Sequence, residues 1–152
     1  MQTGKAVKLV RTFFEAYLVR RDVIDTLACL AEDVQWVGTG KSELTYGRDR
    51  TAEALLAEFA VTPEPFRIEY EYIQENEVTD TSAAVLLTAS VCPAAKEAGG
   101  VWIRVSAICV EDMDGTCRIA SIHASTPDIR QDEGEFFPAS LLTVPNWNEM
   151  LG

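Results

Sequence analysis

Apolar residues recur at two different spacings along the chain, and the change between them divides the sequence into two parts. Near the N-terminus they recur every three or four positions, which predicts one amphipathic helix over roughly residues 4–20. The apolar positions with this spacing are Val7, Val10, Phe14, Tyr17 and Leu18. From Phe66 onward apolar and polar residues alternate, as they do in strands with one solvated face.

Two further helices and a short strand are predicted before that change. Asp22 has the side chain to cap a second helix, and Gly47 precedes the run RDRTAEALLAEFA, which predicts a third helix. Between them, DVQWVGT predicts a short strand. The residues that we expect these two helices to bury are Ile24, Leu27 and Leu30 in the second, and Ala52, Leu55, Leu56 and Phe59 in the third.

Four long strands follow, separated by turns or loops. They start with the FRIEYEY run, continue through SAAVLLTASVC and VWIRVSAICVE, and end with CRIASIHAST. The tight DMDGT turn before the last strand is typical of an antiparallel pair. Because helices come first and a meander of strands follows, the sequence predicts an α+β fold, with N-terminal helices packed on a curved, mostly antiparallel sheet.

Composition narrows the classes of function. The 152 residues fit one domain, and a formal net charge of −11 disfavours nucleic acid and acidic membrane surfaces as partners. The N-terminus lacks the apolar core of a signal peptide, and no apolar run is long enough to span a bilayer. Four cysteines without CxxC spacing and a single histidine predict reduced packing thiols in a cytoplasmic protein, with no metal and no cofactor.

The segment GTGKS at residues 38–42 matches the end of a phosphate-binding loop but not its beginning. The motif GxxxxGK[ST] needs a glycine five residues before Gly40, and Gln35 stands there. A phosphate loop also opens a helix at its Lys-Ser end, whereas only ELTY follows here before Gly47. The segment therefore predicts no nucleotide site.

The order of elements resembles the nuclear transport factor 2-like fold, the cone-shaped α+β barrel that ketosteroid isomerases share with SnoaL-like polyketide cyclases. The resemblance rests on FFEAYLVRRDVIDTLACLAEDVQWVGTG, YGRDRTAEAL and RIASIHAST, with Asp22, the EDVQW run and Gly47 where such residues recur. The W.GTG..E..YGR pattern and the later IHASTP and EGEFFP are similar to SnoaL-like domains. This resemblance implies a SnoaL-like domain over residues 1–126 and a C-terminal tail over residues 127–152.

In this fold the first strand and its following loop lie at the open mouth of the cone, so the resemblance places GTGKSELTYG at the rim of a pocket. Trp36 is then an apolar wall, with Glu43 and Tyr46 as polar groups near it. A solvated Glu43 is the alternative, because charged loop residues are mostly exposed. The residues expected to line the pocket are Phe14, Tyr17, Trp36, Glu43, Tyr46, Phe59 and His123.

The catalytic residues of ketosteroid isomerases are missing from the positions that the resemblance assigns to them. Counted without gaps, the tyrosine falls at Phe14, the general base at Gly38 and the second acid near Cys109. Tyr17 and Glu43 lie close enough in the sequence to be shifted replacements. Whether the protein is an enzyme therefore stays open at this point.

SnoaL-like cyclases use an acid/base on the strands that face the pocket, which makes His123 a further catalytic candidate. Ser121, His123 and Ser125 share one face of the last predicted strand, and histidine titrates near neutrality. The alternative is a histidine that forms hydrogen bonds on the convex face or at a dimer interface.

Trp102 and Arg104 lie on the mixed face of the VWIRVSAICV strand, whose other face is apolar throughout. We expect the apolar face to pack on the helices, so that these two residues look outward, where this fold usually dimerises. The alternative places Arg104 in the cavity as an anchor for an anionic ligand. An unpaired buried guanidinium is costly, which favours the homodimer.

The tail contains apolar residues that predict contacts with the domain or a partner subunit, or a connection to a further domain. These residues are Phe136, Phe137, Leu141, Leu142 and Trp147.

Three functions remain open from the sequence. The first is a SnoaL-like domain, sensory or accessory, that binds a small apolar or aromatic ligand. The second is a cyclase, isomerase or dehydratase that uses His123 or Glu43 with Tyr17. The third is a dimerisation module without a ligand.

Overall fold

The computed structural model describes residues 1–97, 99–129, 131, 133 and 134. Within these residues there are three α-helices and six strands, and all three helices precede the four longest strands. The elements are α1 Lys5–Phe14, α2 Val23–Ala28, β1 Leu30–Val37, β2 Leu44–Tyr46, α3 Arg48–Val61, β3 Phe66–Thr79, β4 Ser82–Pro93, β5 Val101–Glu111 and β6 Cys117–Ser125.

The six strands form one sheet in the order β2-β1-β6-β5-β4-β3. Neighbouring strands are antiparallel except β1 and β6, which run parallel. The first strand, β1, therefore pairs with β6, the last strand of the meander. The predicted α+β class and mostly antiparallel sheet are confirmed. The sheet is not closed, since β2 and β3 form its two edges.

Strict alternation along the central strands gives the sheet one buried face, here called the inner face, and one outer face. Along β5 every second side chain is buried and the intervening ones are exposed. The inner residues pack with α1 in a single hydrophobic core, because both surfaces are apolar and exclude water. The central members of this core are Val10, Phe13, Leu87, Val105 and Ile119.

The first helix extends over the predicted residues but changes its geometry near the end. After Phe14 the chain continues as a π-helix over Glu15–Arg20, a form that is often found at functional sites. Arg21 ends it in the left-handed conformation, with φ of 52°. The next residue, Asp22, caps α2 as predicted, since its carboxylate accepts the N–H of Asp25 at 2.9 Å.

The second and third helices are present, but part of their predicted buried faces is wrong. Ile24 and Leu56 are exposed, whereas Thr26 and Thr51 are fully buried. Each threonine hydroxyl donates to the carbonyl four residues earlier, at 2.6 Å for Thr26 and 2.9 Å for Thr51, which satisfies the polar atom. Leu30 is buried as expected, although it belongs to β1 and not to α2.

The strand β2 was not predicted from the sequence. Its three residues pair with β1, with Tyr46 opposite Gln35 and Leu44 opposite Val37. This pairing returns the chain from the glycine-rich segment to α3 at the edge of the sheet.

The described residues contain no helix that is long and apolar enough to cross a membrane. The apolar tail residues from Phe136 onward lie outside the described part of the chain, so the three predicted roles of the tail stay predictions.

Two neighbouring leucines of α3 test the observed orientation of this helix. Leu55 is 2% exposed and Leu56 is 59% exposed. We expect Leu55→Ala to lower the free energy of unfolding by about 2–5 kcal/mol, because it leaves a cavity in the core. The matched change Leu56→Ala should cost less than about 1 kcal/mol. Urea denaturation of both variants measures the difference, and equal losses would contradict this orientation.

Candidate functional site

A cavity of about 430 Å³ lies between the end of the first helix and the inner face of the sheet. Its walls are mainly apolar, with aromatic rings on one side and branched aliphatic side chains on the other. Gly99, Gly100 and Val101 line one end and are exposed, so this end reaches the solvent. The size and character of the cavity are those of a small-molecule site.

The aromatic wall is a set of rings in edge-to-face contact. Trp36 lies 5.2 Å from Tyr17 at an interplanar angle of 89°, and 5.3 Å from Phe13 at 65°. Phe14 adds a further ring, 5.1 Å from Phe13. Such contacts stabilise ring positions beyond the burial of area alone, so the rings support one another in this wall.

The Tyr17 hydroxyl is bound by the ion pair that Glu58 forms with Arg21. Its hydroxyl donates to Glu58 Oε2 at 2.9 Å, and Arg21 Nη2 donates to Glu58 Oε1 at 3.0 Å. The Arg21 side chain is 5% exposed, lies 4.0 Å over the Phe59 ring and also donates to the Thr62 carbonyl at 2.6 Å. These contacts join the end of the first helix to α3.

The surroundings of Tyr17 keep its hydroxyl protonated. Burial is the main cause that raises its pKa, followed by the charge of Glu58, the hydrogen bond to that carboxylate and the charge of Glu43. The nearby Arg21 opposes these effects more weakly. Tyr17 is therefore a poor acid whose proton is already engaged with Glu58.

Glu43 lines the cavity from the glycine-rich segment, in a space that two glycines leave open. Its Oε2 accepts the N–H of Gly40 at 2.8 Å, and a Cβ placed on Gly38 would lie 2.1 Å from the same oxygen. The two glycines make room for the Glu43 side chain, which lines the cavity.

A smaller cavity of about 110 Å³ adjoins the first on the side of α3. Trp36 and Glu43 line both cavities, and Glu58 lines the smaller one. Tyr17 thus lies near two carboxylates, and of these two only Glu58 forms an ion pair with another described residue.

Four of the predicted pocket residues line the main cavity, and these are Phe14, Tyr17, Trp36 and Glu43. The other three lie elsewhere. Tyr46 is exposed on β2. Phe59 stacks on the far side of Tyr17, with 6.0 Å between ring centroids, beneath the Arg21 guanidinium.

The placement of His123 in the pocket is wrong. In β6, Ile122 and Ala124 line the cavity, and alternation turns the side chain between them to the outer face. His123 is exposed and sits opposite Ser106, another outer residue. Ser121, His123 and Ser125 share one face of β6, as predicted, but the sequence did not show which face of the sheet this is.

The structure also adds lining residues that were not predicted. Phe13 precedes a predicted residue, and Phe66, Ile103 and Ile122 are inner residues of predicted strands. Strand alternation would have found the last two once the inner face was known. Nothing in the sequence pointed to Glu58 as the partner of Tyr17, because 41 residues separate them.

The positions of the missing isomerase residues provide no acid or base. Phe14 is buried in the aromatic wall and Gly38 has no side chain. Cys109 is fully buried, and burial raises the pKa of its thiol to about 12. Within the described residues, no group of three or more His, Cys, Asp and Glu side chains could hold a metal ion.

Trp102 and Arg104 are exposed on the outer face, as expected. The indole N–H of Trp102 donates to Glu71 at 2.7 Å, and Arg104 makes a long contact of 3.4 Å with the Thr126 carbonyl. Arg104 is not among the described residues that line the cavity, so the alternative of an anion anchor inside it is wrong.

The SnoaL-like domain family matches residues 7–129 of this chain. The chain belongs to the SnoaL-like domain family. Its place in the nuclear transport factor 2-like superfamily is thereby confirmed, and the superfamily includes ligand-binding domains as well as isomerase- and dehydratase-type ones. No curated protein sequence matches this SnoaL-like domain significantly.

Solved structures share the fold at low sequence identity. A nuclear transport factor 2-like protein of unknown function from Pseudomonas putida has a TM-score of 0.73 at 15% identity, covering 82% of this chain and 87% of that chain. An uncharacterised protein with a cystatin-like fold from Caulobacter vibrioides has a TM-score of 0.70 at 19% identity, covering 84% and 91%. A ketosteroid isomerase-like protein from Erwinia carotovora atroseptica has a TM-score of 0.67 at 18% identity, covering 84% and 99%.

The raised pKa of Tyr17 predicts a loss of stability at high pH. Below the ordinary pKa of 10.0 the hydroxyl is protonated in the folded and unfolded chains alike. Above it the unfolded chain loses this proton while the folded chain keeps it, so the free energy of unfolding falls as pH rises. We expect a shallower fall in Tyr17→Phe, measured by urea denaturation from pH 8 to about 11.

Tyr46→Phe is the matched control for this experiment, because Tyr46 is exposed. Its stability should follow the wild-type pH dependence closely. Parallel curves for wild type and Tyr17→Phe would show that the folded state does not hold the Tyr17 proton.

Proposed function

We propose that this SnoaL-like domain binds a small apolar or aromatic ligand in the main cavity, in a sensory or accessory role. The observation that carries the proposal is the cavity of about 430 Å³ with a wall of aromatic rings in edge-to-face contact. Burial of an apolar molecule of this size would contribute binding energy without a new conformation of the walls. Four free cysteines support a reducing, cytoplasmic location.

An isomerase- or dehydratase-type enzyme is the second candidate. It is favoured by Glu43, a carboxylate that lines the cavity and is suited to accept a proton from a bound substrate. Tyr17 argues against this candidate, because its hydroxyl donates to Glu58 and is not poised to donate to a substrate. His123 contributes to neither role from the outer face.

The outer face of the sheet supports a homodimer as a further part of the proposal. Leu86, Ile108 and Trp102 are 49%, 38% and 39% exposed on the adjacent strands β4 and β5, with Arg104 beside them. Aromatic and arginine side chains are typical of interface centres, and apolar groups on a flat sheet are readily covered by the same face of a second copy. A pure dimerisation module would use this face and leave the cavity without a ligand.

Thermal shift measurements with apolar acids, apolar amines, sterols and polyaromatic compounds test the binding proposal. A ligand that binds the folded state alone raises the melting temperature by mass action. We expect a class of compounds to raise it in wild type and in His123→Ala, but not in Trp36→Ala or in Ala124→Leu, which fills the cavity. Far-UV circular dichroism confirms folding of each variant.

Two results would contradict ligand binding. One is the absence of any shift in wild type across the library. The other is a shift that survives both Trp36→Ala and Ala124→Leu, because the compound would then bind elsewhere. The His123→Ala variant also tests catalysis by that residue, since any turnover found should be unchanged in it.

Sedimentation equilibrium tests the dimer. We expect wild type to sediment as a dimer and Leu86→Glu to sediment as a monomer, because a charge on the outer face would be buried without a partner. Met113→Glu is the control, since Met113 is fully exposed in the turn before β6. A monomeric wild type, or a dimer that is unaffected by Leu86→Glu, would exclude this interface.

A further inference from the structure

Glu43 is the only charged side chain among the described residues that line the main cavity. No lysine, arginine or histidine lies among them, so a carboxylate ligand would meet no positive charge and one negative charge. The formal net charge of −11 adds to this bias, because it repels anions and concentrates cations near the protein. The cavity therefore discriminates by charge as well as by shape.

The two carboxylates beside Tyr17 differ in how their charge is compensated. Glu58 pairs with Arg21 at 3.0 Å and also accepts the Tyr17 hydroxyl. Glu43 accepts a single backbone N–H, from Gly40, and forms no ion pair with the described residues. An apolar ligand that displaced water from Glu43 would leave this charge poorly solvated, which is costly unless the ligand itself supplies a donor.

Aromatic rings lie next to this uncompensated carboxylate. Trp36 lines both cavities together with Glu43, and Tyr17 is close enough for the Glu43 charge to raise its pKa. The faces of such rings attract cations, most strongly when water is excluded. A carboxylate beside a tryptophan and a tyrosine thus favours an ammonium group at this end of the cavity.

We propose that the ligand class of this cavity is an apolar amine, bound as its ammonium ion with the charge on Glu43. The hydrophobic body of the amine lies against the Phe13, Phe14 and Ile122 side of the cavity. This inference rests on the proposed ligand-binding function and adds the chemical group that is recognised. It also excludes apolar acids as the preferred ligands.

Three naphthalene compounds of similar size separate charge from shape. They are 2-naphthylmethylamine, which is a cation at neutral pH, 2-naphthylmethanol, which is neutral, and 2-naphthoic acid, which is an anion. Isothermal titration calorimetry of the whole chain at pH 7 should give an amine affinity about tenfold above that of the alcohol. The acid should bind more weakly than the alcohol.

Glu43→Gln removes the charge and keeps the size of the side chain. We expect it to lower the affinity for the amine by about tenfold and to change that for the alcohol by less than about twofold. Glu77→Gln is the matched control, because it makes the same charge change at an exposed position of β3. This control should leave both affinities at the wild-type values.

The outcomes distinguish this inference from the binding function on which it rests. Equal affinities for amine and alcohol in wild type, a preference for the acid, or an amine affinity unaltered by Glu43→Gln would overturn the amine proposal while ligand binding stands. Failure of all three compounds to bind wild type would overturn both the amine proposal and the ligand-binding function for aromatic ligands of this size. If Glu43→Gln does not fold, the ratio of amine to alcohol affinities in wild type still decides.

Discussion

The ion pair between Arg21 and Glu58 is the contact on which the candidate site depends. It links the residue that ends the first helix to the third helix, and the same carboxylate receives the Tyr17 hydroxyl. Arg21 takes a left-handed backbone conformation there, which is unfavourable for a residue with a side chain. Its guanidinium compensates by stacking on Phe59 and donating to the Thr62 carbonyl, and these contacts attach the end of the helix to the α3 region.

That fixed helix end makes the cavity and also limits its chemistry. Tyr17 and Trp36 are in edge-to-face contact, which stabilises the aromatic wall of the cavity. As a consequence, the Tyr17 hydroxyl donates its hydrogen bond to Glu58 and is not free to donate to a substrate. Glu43 accepts one backbone N–H and can accept further hydrogen bonds, which is the reason for proposing that it recognises a donor.

Residue patterns within one element predicted its bounds well. They predicted less well which side chains pack against other elements. The strand VWIRVSAICVE was predicted with its observed bounds and its buried face. The helical pattern assigned both Leu55 and Leu56 to the core, but only Leu55 is buried. Thr51, one turn before Leu55, lies on the same buried side and satisfies its hydroxyl by donating to the Gly47 carbonyl. Hydrophobicity alone ranks threonine below leucine and misses this exchange.

The sequence by itself determined the α+β class and the order of helices and strands, since these depend on local periodicity. It also carried the family resemblance, and that resemblance implied four residues that line the cavity. Only the tertiary structure decided that His123 faces outward, because alternation defines two faces without saying which one the helices cover. It also paired Tyr17 with Glu58 and set Glu43 against two glycines. Those contacts join segments through packing, which no local pattern encodes.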